Sequence, residues 1–386
     1  MKKVKMGMVG GGPSAFIGEV HRMAARLDDR IELVCGAFSS DPYVSVSFGK
    51  ELGLEEARCY GDYQEMIQKE RMLPEGKRMD FISIVTPNHL HYAPAKLALD
   101  NGFHVLSDKP ATLNLDEAVS LKEAVNKSGL IYGLTHNYTG YPMVKEARHL
   151  IRSGKLGKIR KVVAEYPQGW LSTKLEDQGH KQALWRADPQ KAGLGGSLGD
   201  IGTHAENLTE YITGLGIDEL FADVSTLVEG RALDDDTNIL VRFNNGARGV
   251  FYCSQVSLGE ENALAIRIYG TKASIEWKQM EPNTLLLKYL DKPTEIFRTG
   301  HQYLSESAQK ASRIPPGHPE GFIGGFANLY SNFAKAVSDF KTGNYKEIGE
   351  YDFPTITDAV RGMQFIETTI ESHKKKTWTK MNNLEL

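Results

Sequence analysis

The stretch GGSLGDIGTHAEN, residues 195 to 207, places an aspartate and a histidine four positions apart on one predicted helix. Residues at this spacing lie one turn apart on the same face, so Asp200 and His204 form one polar stripe. Three kinds of chemistry fit such a pair: a metal site, a capped structural helix, or a general base with a carboxylate beside it. Two ligands without a nearby cysteine or a third carboxylate make a poor zinc site, so no bound metal is predicted.

The helix that must position this pair is amphipathic. Its apolar residues recur at helical spacing and a glycine follows them as a stop signal; these positions are Ile201, Ala205, Leu208, Ile212 and Gly214. Glycines before Asp200 leave room in front of the polar stripe. The stripe is therefore predicted to lie at the N-terminal end of a helix whose other face is buried.

A second acidic cluster, Asp234-Asp235-Asp236, could also attract a cation. Successive residues of an extended chain point to opposite faces, so three in a row do not converge on one ion. We predict that this run is a solvated loop.

A glycine-rich turn, VGGGPSAFIG, follows the first predicted strand and opens the first predicted helix. Gly10, Gly12 and Ala15 match the pattern G-x-G-x-x-[GA] of dinucleotide-binding turns. The free N–H groups and the dipole at a helix N-terminus both favour anions, which suits the pyrophosphate of a dinucleotide. The pattern alone is weak, but its position at the first strand-to-helix turn makes it a specific indication of NAD or NADP.

Residue types at the end of the second predicted strand leave the choice between NAD and NADP open. Phe38 stands where NAD-binding proteins usually carry an acid for the ribose hydroxyls. Ser39, Ser40 and Asp41 follow it. The serines tolerate a 2′-phosphate better than a carboxylate would, but no arginine is at hand to neutralise one. We predict that either dinucleotide binds.

Two further strand ends point at the same crevice, because ligands of open α/β sheets bind at the carboxyl ends of the strands. In TPNHLH, Asn88 is a plausible helix cap, and His89 and His91 are two positions apart. That spacing does not place two histidines on one side of a helix, so loop contacts or capping are predicted rather than a metal site. In DKP, the position of Lys109 at a strand end predicts a ligand contact.

Alternation of short β-rich runs with amphipathic helical patterns in the first part of the chain predicts a parallel sheet with crossover helices. The predicted strands are Val4–Val9, Ile31–Phe38, Phe81–Val85, His104–Leu106 and Leu130–Leu134, and the helices include Ala15–Leu27, Tyr92–Asn101 and Leu115–Ser128. Residues 69–79 are predicted as a surface loop. Residues 1–137 are thus predicted to form a Rossmann dinucleotide-binding domain.

The pattern changes after residue 137, where strand runs begin to follow one another without helical crossovers. Asn245-Gly246 between two such runs is a strong hairpin signal. We predict a second α/β domain, residues 138–386, with a large, mostly antiparallel open sheet. Two C-terminal helices are expected to pack back on the first domain, one with an apolar face at Phe322, Phe326, Leu329, Phe333 and Val337 and one over Ile356–Ile370.

Composition excludes several classes of protein. The 386 residues are 41% hydrophobic and 25% charged, as in a globular protein, with a formal net charge of -3. This charge gives no case for nucleic acid or an anionic membrane surface, and no stretch approaches the ~18 apolar residues of a membrane span. Three scattered cysteines and a start that enters a strand at once predict a cytoplasmic protein without disulfides.

Motifs along nearly the whole chain together resemble those of the glucose-fructose oxidoreductase/inositol dehydrogenase/rhizopine-catabolism (Gfo/Idh/MocA) family. They are GGGPSA, TPNHLH, DKP, HNYTGYP, RSGKLGKI, WRADP, GGSLGDIGTH and ITDAVRGMQFIE. The resemblance implies NAD(P)-dependent oxidation of a sugar or cyclitol hydroxyl, or the reverse reaction. It also implies a homo-oligomer, a dimer or tetramer, formed through the sheet of the C-terminal domain.

The family's catalytic lysine, aspartate and histidine fall on Lys109, Asp200 and His204. By this resemblance His204 takes the hydroxyl proton and Lys109 stabilises the developing alkoxide. Asp200 orients the sugar or steadies the imidazolium. Asp108 stands where the family usually has a glutamate, which is one methylene longer.

Further candidates for ligand contact follow from the same motifs. For the substrate they are Tyr138, His180, Trp185 and Arg186, each of which could equally be structural. For the cofactor they are Gly10, Gly12, Pro13, Ser14, Ala15, Phe16, Ile17, Ser39, Ser40, Thr86, Pro87, Asn88, His91, Asp108, Lys109 and Asn137.

Three functions are compatible with these residues. The first is a dehydrogenase of a sugar, glycoside or cyclitol. The second is a hydrolase or lyase that uses NAD transiently, oxidising a sugar to labilise a glycosidic bond and then reducing it. The third is a dinucleotide-binding regulator without chemistry, against which the intact Lys109, Asp200 and His204 argue.

Overall fold

The structure is a computed structural model that describes residues 3–13 and 15–381. The chain forms two compact units. The first comprises the chain up to Asn137 together with Phe322–Val360, and the second comprises Tyr138–Gly321 together with the chain from Arg361 onward. Residues 322–360, which the sequence assigns to the second domain, thus pack within the first unit. The division into domains 1–137 and 138–386 stays a prediction.

The first unit is built on a five-stranded parallel sheet. Its strands are β1 (Val4–Gly10), β2 (Ile31–Ala37), β3 (Phe81–Val85), β4 (His104–Ser107) and β5 (Tyr132–Leu134). They are arranged in the order β2-β1-β3-β4-β5. The order reverses at β1, which makes the carboxyl end of β1 the switch point where open α/β sheets bind ligands. This confirms the predicted Rossmann architecture.

Five helices connect these strands: α1 (Phe16–Leu27), α2 (Pro42–Glu51), α3 (Tyr63–Met72), α4 (Tyr92–Asp100) and α5 (Leu115–Ser128). The prediction of a surface loop over 69–79 is wrong at both ends. Residues 69–72 are the last turn of α3, and Met79 is fully buried.

Both faces of the parallel sheet are buried, as parallel sheets require. Met6, Met8 and Phe81 pack on one face, and Ile82 and Ile84 pack on the other. The first face is covered by α1 and by a helix from far along the chain, α11, described below.

The second unit contains a nine-stranded sheet in the order β13-β12-β11-β10-β6-β9-β8-β7-β14. Its strands are β6 (Ile159–Pro167), β7 (Ile217–Ser225), β8 (Asp236–Phe243), β9 (Arg248–Ser254), β10 (Ala265–Gly270), β11 (Ser274–Lys278), β12 (Thr284–Lys288), β13 (Glu295–Arg298) and β14 (Thr379–Lys380). Each strand pairs antiparallel with its neighbours except β6 with β9, which are parallel. The predicted mostly antiparallel sheet is therefore confirmed.

One face of this sheet is buried, while the other is more open. Inward and outward residues alternate along the strands, and Leu240, Tyr269 and Ile296 on the outer positions are 47%, 41% and 55% exposed. The predicted hairpin between β8 and β9 has Gly246 at φ 86°, in the left-handed region that a tight hairpin turn requires.

The remaining helices are α6 (Pro142–Arg152), α7 (Lys181–Arg186), α8 (Pro189–Ala192), α9 (Thr203–Thr213), α10 (Glu306–Lys310), α11 (Phe322–Lys341) and α12 (Ile356–Lys375). The predicted apolar face of α11 is buried in the first unit, where Phe326, Leu329 and Phe333 pack on the sheet. Within residues 3–13 and 15–381, no helix is long and apolar enough to cross a membrane. Cys35, Cys59 and Cys253 carry free, buried thiols.

Candidate cofactor and substrate sites

The glycine turn joins β1 to α1 at the switch point of the sheet. Gly10 and Gly11 have φ of 84° and 71°, in the region that favours glycine. A Cβ at Gly12 would lie 2.5 Å from the carbonyl oxygen of Phe38, so a side chain there collides with backbone. Ala15 is the N-cap of α1 and has no capping group of its own. A bare turn against uncapped helix N–H groups fits the pyrophosphate of a dinucleotide.

Its neighbours differ in how available they are to a ligand. Pro13 lies exposed in the turn, and Phe16, the first residue of α1, is 67% exposed. Ile17 packs against the core of the first unit. The predicted Ser14 lies outside the described residues.

A carboxylate lies near the end of β2, at Asp41, although not at Phe38, where NAD-binding proteins usually carry an acid. Asp41 is the N-cap of α2, and its Oδ1 accepts hydrogen bonds from the backbone N–H of Tyr43 and Val44. The Ser39 hydroxyl oxygen accepts the N–H of Asp41 at 3.1 Å, and Ser40 is exposed.

The end of β3 continues into a single turn of 3₁₀-helix, Asn88–Leu90, immediately after Thr86 and Pro87. The prediction that Asn88 caps a helix is wrong, because His91 holds the N-cap position of α4. His91 is buried, with Nδ1 2.6 Å from the Pro110 carbonyl oxygen and Nε2 2.7 Å from that of Thr86. It ties two loops together.

At the end of β4, Asp108 and Lys109 are both partly buried. Oδ1 of Asp108 accepts the backbone N–H of Lys109 at 2.9 Å and the Thr135 hydroxyl at 2.8 Å. Beyond β5, the Nδ2 of Asn137 is buried and has no hydrogen-bond partner. An orphaned donor at this edge fits a polar ligand group, so the residues around the parallel sheet suit a dinucleotide.

The Asp200 segment begins with a π-helical turn, Leu198–Gly202, and continues as α9. Such wide turns occur often at functional sites. The predicted apolar positions Ile201, Ala205 and Leu208 are all buried. Asp200 lies in the wide turn and His204 on α9, so the pair is not on one regular α-helix as the spacing predicted.

The prediction that Asp234, Asp235 and Asp236 form a solvated loop is wrong, because all three are buried. The carboxylate of Asp234 accepts the backbone N–H groups of Gly196 at 2.6 Å and Leu198 at 2.8 Å, and also the Ser197 hydroxyl. Burial raises the pKa of Asp234 while these hydrogen bonds oppose the shift. The carboxylate that caps the segment is therefore Asp234 rather than Asp200.

Asp235 has a different partner, the buried guanidinium of Arg231, at 3.0 Å. Arg231 also pairs with Glu176 and lowers the pKa of that carboxyl. The prediction failed because it treated charged residues as exposed. Backbone N–H groups compensate the cost of burying Asp234, and Arg231 compensates that of burying Asp235.

The carboxylate of Asp200 faces other side chains of the second unit. Its Oδ2 accepts Nε of Arg186 at 3.2 Å and Nε2 of Gln255 at 2.9 Å. The Arg186 guanidinium lies 4.1 Å from the ring centroid of Trp185 and 6.0 Å from that of Trp170. An ion pair flanked by indole rings presents both hydrogen-bonding groups and apolar faces.

The predicted substrate residue His180 has a local structural contact. Its Nδ1 accepts the N–H of Ala183 at 3.4 Å as the N-cap of α7, and its ring lies 6.0 Å from Trp170. The structure thus brings Trp185, Arg186 and Asp200 together, and His180 contacts Trp170, which lies near the Arg186 guanidinium.

His204 lies beside two buried tyrosines. Its ring centroid is 4.8 Å from that of Tyr138 and 6.0 Å from that of Tyr166, and the two tyrosine hydroxyls bond to each other. Burial raises the pKa of Tyr138 to about 12, so its hydroxyl stays protonated at neutral pH. Predicted residues Tyr138 and His204 are therefore neighbours.

Amide side chains connect the surroundings of Asp200 with those of His204. Gln255 donates to Oε1 of Gln168 at 3.3 Å, and Gln168 donates to Oδ1 of Asn262 at 2.7 Å. Asn262 in turn accepts the Tyr166 hydroxyl and donates to that of Tyr138. Sequence reasoning missed these three amides and Trp170, because amides at remote strand ends form no spacing pattern; only their positions next to predicted strands could have suggested them.

A metal centre finds no support in the part of the chain that the structure describes. No group of three or more His, Cys, Asp or Glu side chains there could hold an ion.

Two family models match this chain. Residues 4–136 match the oxidoreductase family with an NAD-binding Rossmann fold, and residues 144–276 match the GFO/IDH/MocA C-terminal domain. An uncharacterized oxidoreductase of Bacillus subtilis, YfiI, is 33% identical over 96% of this chain and 95% of its own. Levoglucosan dehydrogenase of Pseudarthrobacter phenanthrenivorans is 26% identical over 98% of each chain.

Among solved structures, an inositol dehydrogenase homolog from Azotobacter vinelandii in complex with NAD+ is 34% identical. The match covers 98% of this chain and 97% of the homolog, with a TM-score of 0.95. The same homolog with NADH and myo-inositol is 33% identical over 98% of each chain, with a TM-score of 0.92.

Proposed function

This chain belongs to the GFO/IDH/MocA oxidoreductase family, and we propose that it oxidises a secondary hydroxyl of an uncharged sugar, glycoside or cyclitol to a ketone with NAD or NADP. Relatives named for levoglucosan and inositol support this substrate class. The observation that carries the proposal is the side-chain network from Asp200 through Gln255, Gln168 and Asn262 to the tyrosines beside His204.

The charges of this network favour a neutral substrate. Its one guanidinium, Arg186, is paired with the one carboxylate, Asp200, and the other polar groups are amides and protonated tyrosines. A phosphate or carboxylate on the substrate would find no unpaired cation in this network. Amides and hydroxyls instead match the donors and acceptors of a polyol, and the indole of Trp170 offers a surface for apolar C–H groups.

Each proposed catalytic residue has one task. The dinucleotide, when bound at the glycine turn, supplies the hydride acceptor. His204 accepts the proton of the reacting hydroxyl, Lys109 stabilises the negative charge that develops on its oxygen, and Asp200 places the ring. The buried tyrosines keep the imidazole in position.

A screen of matched substrate pairs with NAD and NADP tests the proposal: glucose against glucose 6-phosphate, and myo-inositol against its monophosphate. We expect reduced dinucleotide to accumulate in proportion to product, and only with the uncharged member of a pair. Product formed without net NADH would support the transient-redox hydrolase or lyase. Turnover of phosphorylated substrates alone would contradict the neutral-site argument.

A further inference from the structure

A fully buried histidine of the first unit has no role in the chemistry above. His21 on α1 is 0% exposed, and its Nδ1 lies 2.8 Å from the hydroxyl oxygen of Tyr330 on α11. That hydroxyl is 2.7 Å from the hydroxyl oxygen of Ser83 on β3. The other ring nitrogen, Nε2, has no hydrogen-bond partner and points towards the Oδ2 of Asp108, 3.8 Å away.

Ser83, Tyr330 and His21 form a hydrogen-bonded chain that ends near the carboxylate of Asp108. This carboxylate sets the direction of the hydrogen bonds. An ionised carboxylate only accepts hydrogen bonds, so the favourable tautomer of His21 carries its proton on Nε2. Nδ1 then accepts from the Tyr330 hydroxyl, which in turn accepts from Ser83. The opposite tautomer would aim a lone pair at the carboxylate. The distance of 3.8 Å is too long for a hydrogen bond, so the N–H acts on Asp108 as a dipole.

Burial keeps this imidazole uncharged. It lowers the pKa of His21 to about 4, with Asp108 opposing the shift and His91 and Arg22 adding to it. At neutral pH the ring therefore contributes a directed N–H rather than a charge.

We propose that His21 and Tyr330 are positioning residues for Lys109, acting through the carboxylate of Asp108. Oδ2 of Asp108 faces the His21 N–H, while Oδ1 accepts the backbone N–H of Lys109 and the Thr135 hydroxyl. Holding Oδ2 fixes the rotation of the carboxylate and hence its bond to the Lys109 backbone. The inference rests on the role proposed for Lys109 above.

The first test is spectroscopic and uses the wild-type protein. With ¹⁵N in the histidine rings, and the His21 signals assigned by their loss in His21→Asn, we expect a protonated Nε2 and an unprotonated Nδ1 at pH 7.5. A protonated Nδ1 would overturn the inference. This result does not depend on any substrate, so it is decided even if no sugar is oxidised and the proposed function fails.

The second test removes one hydroxyl. In Tyr330→Phe, Nδ1 of His21 loses its hydrogen-bond donor and the ring loses its fixed orientation, so we expect kcat to fall about tenfold to a hundredfold while NAD affinity stays within about twofold. Ser83→Ala should act in the same direction. The matched control is Tyr351→Phe. It removes a hydroxyl that donates to Asp339, which lies on α11 like Tyr330, and it should keep wild-type kcat. Wild-type kcat in Tyr330→Phe, or an equal loss in the control, would overturn the inference.

Discussion

Oδ2 of Asp234 lies 2.8 Å from the backbone nitrogen of Leu198, the first residue of the π-helical turn that carries Asp200. A buried carboxylate from the segment before β8 thus holds the start of the candidate catalytic segment. Residues 196 to 198 direct two N–H groups and one hydroxyl at this single side chain. The geometry of Asp200 therefore depends on a residue 34 positions further along the chain.

Replacing this carboxylate tests that dependence. In Asp234→Asn an amide NH₂ faces a backbone donor, so we expect the free energy of unfolding to fall by about 1–3 kcal/mol and kcat/KM to fall as well. Chemical denaturation and steady-state kinetics measure the two effects. Asp236→Asn, in the same acidic run but without bonds to 196–198, is the control; if it lowered kcat/KM equally, the Asp234 contacts would not be the cause.

His204→Ala removes the proposed proton acceptor. Because general base catalysis contributes about 10²–10⁴-fold, we expect kcat to fall by that factor while dinucleotide affinity barely changes. In the wild type, kcat/KM for oxidation should rise with pH through one ionisation, since only an unprotonated imidazole accepts a proton. Near-normal turnover in His204→Ala would contradict the assignment.

Asp200→Asn keeps the shape of the side chain but ends its ion pair with Arg186. We expect KM for the sugar to rise about tenfold or more and kcat to fall less, because the pair positions substrate rather than taking its proton. The control is Asp188→Asn, which makes the same substitution two residues after Arg186, at the N-cap of α8. It should leave KM unaltered. A loss confined to kcat in Asp200→Asn would instead indicate a direct chemical role.

Both dinucleotides should bind, with affinities that differ by less than roughly a thousandfold, ~4 kcal/mol. Asp41→Ser keeps a capping side chain on α2 and removes a negative charge near the end of β2, so we expect the affinity for NADP to rise relative to NAD. Asp62→Ser, which alters the equivalent cap of α3, should leave the ratio unchanged. Calorimetric titration of both cofactors decides this, and an unchanged ratio in Asp41→Ser would place the ribose elsewhere.

Buried histidines predict acid lability. Burial lowers the pKa of His21 and of His104 to about 4, whereas an unfolded histidine titrates near 6.5. Between these values the unfolded chain binds more protons, so stability falls as pH drops from about 6.5 to about 4, by about 1.4 kcal/mol per pH unit for each group. Melting temperatures at pH 7.5, 6 and 5 measure this.

His104→Asn tests whether His104 contributes to this acid lability. The asparagine side-chain oxygen can still accept the Ile131 N–H, which Nδ1 of His104 accepts in the wild type. The melting temperature of this variant should depend less on pH. An unchanged dependence would mean that His104 does not contribute to it.

Local sequence signals located most of the framework because they act over short distances. The alternation in 1–137 predicted all five parallel strands, and the periodicity of Ile201, Ala205 and Leu208 predicted a buried helix face correctly. The π-helical turn at Asp200 left no such signal, and Asp234, whose carboxylate holds the start of that turn, lies 34 positions further along the chain.

Long-range partners were the part that sequence could not supply. Nothing in the residues around Gln168 or Gln255 indicates that these amides lie in one network with Asp200, because Gln168 follows β6, Gln255 follows β9, and Asp200 lies in the turn before α9.

The distance in sequence between α1 and α11 affects how the chain folds during translation. His21 and its partner Tyr330 are 309 residues apart, which a ribosome adding about 5–20 residues per second spans in roughly 15–60 s. During that delay the sheet face of Met6, Met8 and Phe81 is covered by α1 but not by α11, while Tyr138–Gly321 emerges. We therefore expect nascent chains shorter than 322 residues to depend on chaperones for the part of that face that α11 covers in the folded protein.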